Sequence, residues 1–326
     1  MRVLLRFLVF VLLCVGTTTT PTTAQSIDLG GRAYLDYFYN VSGPDVDAAS
    51  GAEEGLHGFR YRRLYLTTDF TLSEAFTGRA RLEADEGTEG RPVVKDLSLT
   101  WAYSGDHSAT LGLTPPPAFG VAEEVWGYRS LEKMILDLQG VVSSRDFGLR
   151  LDGPITDGGT VRYAAMLANN STVQPETDKY KRVYGQLRVR PSDPLLFVVG
   201  AGHAGYNDER EAGTRLSAFA GYSTGRFRVG LDGYWYRVAM AEGDPRTSVG
   251  GSLFGVLQVA PSWELVARLD RSRTTRPGPD RYETFGIGAV AYRPHPNVAL
   301  IPNLRVSDPS DAVAETTARM TVEVNF

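Results

Sequence analysis

The chain has 326 residues, with 34 basic and 38 acidic side chains and a formal net charge of −4. This mildly acidic balance argues against a nucleic-acid partner. The only cysteine is Cys14, near the N-terminus, so the rest of the chain has no thiol for a disulfide, a thiolate metal site or a nucleophile. Only four of the basic residues are lysines, and arginine, with its permanent charge and planar fork, is the better ligand for oxyanions.

The N-terminal stretch "MRVLLRFLVFVLLCVG" places Arg2 and Arg6 ahead of a short apolar run. With "TTTTPTTAQS" behind it, this stretch predicts a secretory signal peptide over residues 1–24, cleaved after Ala24. An uncleaved anchor is the less favoured alternative, because a transmembrane helix needs roughly 20 apolar residues. Residues 25–326 are then predicted to form one exported domain.

Alternation of apolar and polar residues runs from "IDLGGRAYLDYF" through "KDLSLTWAY" to "ARMTVEVNF". A period of two residues is the signature of a strand with one apolar face. We count about sixteen such segments, with fourteen to eighteen possible. Short turns such as "LSEA" and "SGDH" are interspersed with longer polar connectors, as in an up-and-down meander that crosses a bilayer.

A soluble sandwich also alternates, so the content of the two faces decides between the alternatives. Aromatic residues cluster near the strand ends, the polar face carries dense charge of both signs, and the export signal suits a bacterial envelope. The predicted fold class is therefore all-β, a transmembrane antiparallel up-and-down β-barrel. In the last strand, Met320, Val322 and Val324 should face lipid, and the strand should pair with the first one near residues 27–38.

Residues 115–139, "PPPAFGVAEEVWGYRSLEKMILDLQ", interrupt the alternation. A proline triplet does not fit a central strand, and Leu131, Ile135 and Leu138 have helical spacing. The segment is predicted to be a long structured loop. It either folds inward to narrow a pore, with Glu123, Glu124 and Arg129 as its charged groups, or forms an outer or subunit-interface loop.

The polar face of the strands carries arginines that would line a lumen. Rings of arginine favour anions. An alternative is that these arginines pair with carboxylates of neighbouring strands and only brace the wall. The predicted pore-lining residues are Arg63, Arg79, Arg81, Arg150, Arg188 and Arg190.

Catalytic and metal sites have little support in the sequence. The four histidines, His57, His107, His203 and His295, are isolated and have no chelating spacing. We therefore predict no catalytic residues, no metal and no cofactor, and no enzymatic activity.

Several segments resemble the phosphate-selective porin family, the porin O and P type. The similarity is carried by "GFRYRRLYLTTDFTLSEAFTGRARLEAD", "VKDLSLTWAY", "LGLTPPPAFGVAEE" and "RSLEKMILDLQGVVSSRDFGLRLDG", and more weakly by "YKRVYGQLRVRP" and "WELVARLD". The resemblance implies an outer-membrane barrel of a Gram-negative-type bacterium, often a homo-trimer, that conducts small anions past basic side chains. The terminal Phe326 is similar to the signature by which the barrel assembly machinery recognises such proteins.

The expected function is passive diffusion of small hydrophilic solutes, anions such as phosphate, through an arginine-lined lumen. The expected partners are outer-membrane lipid, the solute and further copies of the chain. The alternative is a non-conducting outer-membrane barrel with a structural or adhesive role, closed by residues 115–139.

Overall fold

The computed structural model describes residues 26–44, 53–206, 208 and 210–326. The predicted signal peptide lies outside these residues. The sixteen strands are β1 Ser26–Ser42, β2 His57–Thr71, β3 Phe76–Asp85, β4 Val93–Ser104, β5 His107–Thr114, β6 Asp146–Pro154, β7 Val161–Ala168, β8 Arg182–Ser192, β9 Leu195–Gly205, β10 Arg210–Ser223, β11 Phe227–Met240, β12 Arg246–Ala260, β13 Trp263–Thr275, β14 Arg281–His295, β15 Val298–Pro309 and β16 Glu315–Asn325. The α-helices are α1 Gly120–Trp126 and α2 Ile135–Leu138, and short 3₁₀ turns cover Glu86–Thr88 and Asp157–Gly159.

The strands form one closed antiparallel barrel in which each strand pairs with its neighbours in the chain. The predicted fold class and the count of sixteen strands are confirmed. Two ends can be distinguished. At the turn end lie the first residue of β1, the last residue of β16 and short turns such as residues 72–75 and 193–194. At the opposite end, the loop end, lie the longer connectors.

The barrel closes where β1 pairs with β16, with Arg32 opposite Asn325 and Asp36 opposite Thr321. The predicted pairing of the last strand with the first is therefore confirmed. Beyond it, the backbones of Gly31 and Phe326 exchange two hydrogen bonds, at 2.6 and 3.0 Å. A Cβ atom on Gly31 would lie 2.3 Å from the Phe326 ring, so a side chain at this position would displace the ring from the seam.

The outer surface is an apolar belt. On β1 and β4, Leu29, Leu35, Leu97 and Leu99 are exposed, while Asp36 on the opposite face is 3% exposed. Apolar side chains turned outward on a closed barrel, where no other part of the chain covers them, are the surface that lipid covers. Exposed aromatic rings gather near the turn end, among them Phe76, Trp101, Tyr103, Trp263 and Phe326.

A β-bulge in β2 changes which side chains face inward. Tyr34 pairs with Arg63 and Leu35 with Tyr61, so Arg62 is the extra residue between them. A bulge leaves one residue unpaired and lets two successive side chains point to the same face. Arg62 and Arg63 both reach partners inside the barrel as a result.

The connector between β5 and β6, residues 115–145, is here called the inner loop. Because β5 and β6 have only 8 and 9 residues, whereas β1 has 17, the connector leaves the wall part of the way up the barrel. Trp126, Met134 and Ile135 are fully buried and belong to one apolar core with side chains of the barrel wall. The segment predicted as a structured loop thus lies inside the barrel. No helix in the described part of the chain is long and apolar enough to cross a membrane.

Candidate ion path beside the inner loop

The inner loop packs against one side of the barrel. Its apolar residues share a core with inward side chains of β9, β10 and β12–β15, such as Phe219, Phe254, Val266 and Phe285. The Trp126 ring lies 5.1 Å from that of Phe254. We call the inner face of β9–β15 the apolar wall. Sequence alternation predicted a polar inner face throughout, and this half of the barrel differs because its inner face supports the loop.

Arginines of the barrel strands, one on β2 and two on the apolar wall, also hold the loop by its backbone. Arg62 donates to the carbonyl of Ser130, and Arg305 donates to that of Leu131 at 2.9 Å. Arg268 donates to the carbonyl of Lys133 at 2.6 Å. Each donor also has a carboxylate partner, so these hydrogen bonds are charge-assisted and fixed in direction.

The inner face of β2–β6, here called the charged wall, carries four of the predicted pore-lining arginines. Arg63 lies 3.0 Å from a carboxylate oxygen of Glu83. Arg81 lies 3.3 Å from Asp96 and donates to the Thr67 hydroxyl at 2.8 Å. Both side chains keep part of their surface exposed to the lumen.

Arg79 and Arg150 form two-pronged pairs. Arg79 reaches both oxygens of Asp69 at 2.6 and 3.0 Å, and Arg150 reaches both oxygens of Asp152 at 2.7 and 2.6 Å. Arg150 also donates to the carbonyl of Pro115, where the inner loop begins. Exposed pairs contribute only about 0–1 kcal/mol to folding, so they orient the guanidinium groups more than they stabilise the barrel.

The last two predicted arginines lie apart from this group. Arg188 is opposite Arg162 on β7 and is partly exposed, with no ion-pair partner among the described residues. Arg190 is exposed at the turn end and donates to the carbonyl of Asp193. The structure therefore brings Arg63, Arg79, Arg81 and Arg150 to one wall and leaves the β8 arginines outside it.

The predicted charged residues of the loop do not act as one group. Arg129 lies 3.2 Å from Glu123 and 3.9 Å from Asp137, all within the loop. Glu124 is exposed, and no ion pair joins it to the described residues. Burial raises the pKa of the Glu123 carboxyl, and the neighbouring Asp137 adds to the rise.

Three cavities follow one another along the barrel, the middle and turn-end ones beside the charged wall and the loop-end one between the inner loop and the β7–β8 connector. A loop-end cavity of about 600 Å³ and a middle cavity of about 380 Å³ share Asp137 as a lining residue. A turn-end cavity of about 470 Å³ shares Asp69 and Arg79 with the middle one. The three together outline a path from the loop end to the turn end.

The middle cavity is the part of the path with the most charge. Its cations come from both the wall and the loop, and they outnumber its carboxylates by six to three. The cations are Arg32, Arg79, Arg81, Lys95, Arg129 and Arg145, and the carboxylates are Asp69, Glu123 and Asp137.

Two cations of the middle cavity, Lys95 and Arg145, were not predicted from the sequence pattern. Arg145 ends the inner loop and pairs with Asp96, and Lys95 lies 2.6 Å from Glu83. The register shifts between Arg81 and Leu82 at the β3–β4 pairing, which moves Lys95 out of simple alternation. Among the described residues, no group of three or more histidine, cysteine or acidic side chains could hold a metal ion.

The fold is similar to solved outer-membrane porin structures. OmpT of Vibrio cholerae in a trimer form has a TM-score of 0.70 at 11% identity, over 93% of this chain and 100% of that one. An anion-selective porin from Comamonas acidovorans has a TM-score of 0.68 at 13% identity, over 93% and 100%. OmpF of Salmonella typhi has a TM-score of 0.71 at 12% identity, over 92% and 97%.

No protein-family model matches the sequence, and no curated protein matches it significantly. The structural likeness shows the fold, the closed sixteen-stranded β-barrel of outer-membrane porins. Barrels of this class lie in the outer membrane of Gram-negative-type bacteria. In this chain the inner loop packs on one wall, and a charged path lies beside the other.

Proposed function

We propose that the protein is a passive porin for small hydrophilic anions, with phosphate as the candidate solute. The observation that carries this proposal is the excess of cations over carboxylates around the middle cavity. A lumen lined with guanidinium groups lowers the free energy of an anion and raises that of a cation. The proposed location is the outer membrane, reached by means of the signal peptide at residues 1–24.

The proposed route follows the three cavities. An anion would enter at the loop end, pass Asp137, and then meet Arg129 on one side and Arg81 and Lys95 on the other. It would leave past Arg79 and Arg150 at the turn end. Guanidinium groups replace part of the anion's hydration shell, and their pairing with carboxylates keeps the binding weak enough for release. The solute is not altered, so no enzymatic step is proposed.

The similar structures support the general form of this function. One of them is described as an anion-selective porin and another as a trimer. Together with the resemblance to phosphate-selective porins, they favour an anion channel that forms a homo-trimer in outer-membrane lipid. Phe326, exposed at the end of the last strand, would be read by the barrel assembly machinery.

The first test is ion conductance of refolded residues 25–326 in a planar lipid bilayer. The proposal requires ion current through single channels. A folded barrel that carries no current at any voltage would exclude the porin function and favour the alternative, a structural or adhesive barrel.

The second test is the reversal potential under a salt gradient. The wild type should prefer anions, and Arg79→Ala and Arg81→Ala should each reduce the preference. A charge several ångströms from an ion in a hydrated path contributes about 0.5 kcal/mol, a roughly twofold change in the permeability ratio. Arg273→Ala is the matched control, because Arg273 lies on the strand face opposite the lumen-facing Ser272 and Thr274. A cation preference of the wild type, or an anion preference that is unchanged in both path variants, would refute the anion claim.

A further inference from the structure

A separate cavity of about 630 Å³ lies at the loop end on the side of the apolar wall. We call it the side cavity. It lies between the end of the inner loop and the inner faces of β11–β14. Its lining includes Gln139, Val141, Val238, Arg246, Ser248 and Thr274.

The side cavity is not part of the ion path. It shares no lining residue with the loop-end, middle or turn-end cavity. A gap of about 10 Å³ touches the side cavity at Val141 and Tyr236 and the loop-end cavity at Arg182. That volume is about the space of one water molecule.

The inner loop closes the side cavity toward the turn end. Gln139 and Val141 line it, and the residues around them in the loop, Ile135, Leu136 and Val142, are buried in the apolar core. A molecule larger than water that enters from the loop end would therefore stop there. A cavity of this size that is open at one end only suits binding better than conduction.

Its surface combines apolar and hydroxyl groups. Val141, Val238 and Pro277 supply apolar contacts, and Tyr236 supplies an aromatic ring. The hydroxyl of Ser248 lies 3.0 Å from that of Thr274, and also 3.0 Å from that of Tyr234. These hydroxyls already form hydrogen bonds with one another. They therefore offer few free donors to a neutral polar ligand such as a sugar.

The charges of the cavity leave one cation in excess. Arg276 lies 3.2 Å from Asp311, and Arg281 lies 3.3 Å from Asp311 and 3.6 Å from Glu283. Arg246 lines the same cavity and forms no ion pair with any residue that the structure describes. Its guanidinium is therefore available to an anionic group of a bound molecule.

We propose that the side cavity binds organic monoanions that have an apolar body, with aromatic carboxylates as the class. Arg246 holds the carboxylate, and the body packs against Val141, Val238 and the Tyr236 ring. Pockets for molecules of this size are mostly apolar with a few placed polar groups. The site is independent of the proposed conduction, since the bound molecule does not enter the path.

The test is isothermal titration of refolded residues 25–326 in nonionic detergent, with a blank of micelles alone. The probes are 2-naphthoate and its neutral counterpart 2-naphthylmethanol. We expect one naphthoate per chain, bound about tenfold more tightly than the alcohol, as one charge-assisted contact would give. Arg246→Gln should reduce the affinity for naphthoate to that for the alcohol. Thr274→Phe should fill the cavity and abolish binding of both probes.

The matched control is Arg79→Gln, which changes an arginine of the path and should leave naphthoate affinity unaltered. Folding of every variant is checked by its β-sheet circular dichroism, and exposed Arg246 is a position where replacement should not affect folding. Naphthoate affinity unchanged in Arg246→Gln would overturn the proposal. Loss of binding in Arg79→Gln would place the probe in the path, and binding no stronger than to empty micelles would mean that the site does not exist.

Discussion

The two inner walls of this barrel differ in what they touch. The apolar wall, β9–β15, is covered by the inner loop, and residues such as Phe254 and Ile301 are at most 1% exposed there. The charged wall, β2–β6, faces cavities and keeps its arginines partly exposed. One barrel with one pattern of strand pairing thus has a half that is packed against the inner loop, with the side cavity at its loop end, and a half that faces the ion path.

Because of this difference, we expect the apolar wall to determine the stability of the loop and the charged wall to determine ion selectivity. Burial of large apolar side chains contributes about 1.5–3 kcal/mol each, so the loop is held mainly by the apolar wall. Ion pairs exposed to the lumen contribute about 0–1 kcal/mol, so the charged wall can change without loss of the fold. Mutations on the two walls should therefore have different effects.

The largest effect is expected from Trp126→Ala on the loop. The Trp126 ring is fully buried, and its Nε1 donates to the carbonyl of Glu132 at 3.0 Å. Removing a buried tryptophan side chain costs about 3–5 kcal/mol, here in the packing of the loop against the wall. Hydrogen exchange over residues 120–138 should rise, and open-channel current noise should increase. Leu269→Ala, on the outer face of β13, is the control and should change neither.

A smaller effect is expected from Arg305→Gln, which removes a clamp between the wall and the loop. Burial opposes ionisation of the Glu132 carboxyl, but the charge and hydrogen bond of Arg305, the backbone N–H of Lys133 and the charge of Arg129 together outweigh burial and lower the pKa of Glu132 to about 2. A pKa lowered by folding stabilises the protein above the pKa of the unfolded state, and this stabilisation is lost as the pH falls toward the folded value.

Without Arg305, the free energy that holds the loop against the barrel wall should fall by about 1.5–3 kcal/mol at neutral pH, as expected for the loss of hydrogen bonds to charged groups. Hydrogen exchange of residues 130–133 should then be faster than in the wild type at neutral pH, and the difference should shrink in acid. Equal exchange in the two proteins at neutral pH would show that Arg305 does not hold the loop.

Asp137→Asn should affect selectivity more than stability. Asp137 lines both the loop-end and the middle cavities, and Lys133 and Arg129 lie 3.6 and 3.9 Å from it. Removal of this negative charge should raise the anion-to-cation permeability ratio by about twofold, measured from reversal potentials. Asp157→Asn, at the turn end, should leave the ratio unchanged. An unchanged ratio for Asp137→Asn would mean that ions do not pass this residue.

Much of the fold follows from local alternation. The faces of β1, β4 and β16 and the number of strands could be predicted because each depends only on a period of two residues. The interruption at Pro115 likewise marked the segment that leaves the wall. The roles of Arg63, Arg79, Arg81 and Arg150 in conduction stay predictions, although the structure places them on one wall.

The remainder depended on contacts between distant parts of the chain. A bulge has no signal in the period, so alternation alone would turn Arg62 outward. The apolar wall did have a signal, because "SLFGVLQV" and "FGIGAVAY" are apolar on both faces. A strand buried on both faces reads as a continuous apolar run, and here the second face meets the inner loop.

The smallest effect that we predict is a pH dependence at the contact between loop and path. Burial and the nearby Asp137 raise the pKa of Glu123, while Arg129, Arg145 and Arg63 oppose the rise. Glu123 should therefore take up a proton at a pH where exposed glutamates remain ionised. Because the folded state then binds more protons than the unfolded state, loop packing should become more stable as the pH falls through this range.

The path loses one negative charge in the same step, so the anion-to-cation permeability ratio should rise, by about twofold at most. Reversal potentials measured across mildly acidic pH test this, with Glu123→Gln as the variant that should show the raised ratio at every pH. Exposed Glu124 is the matched control, and Glu124→Gln should keep the wild-type pH profile. If the rise persists in Glu123→Gln, another carboxylate controls the titration, and Glu123 has no part in selectivity.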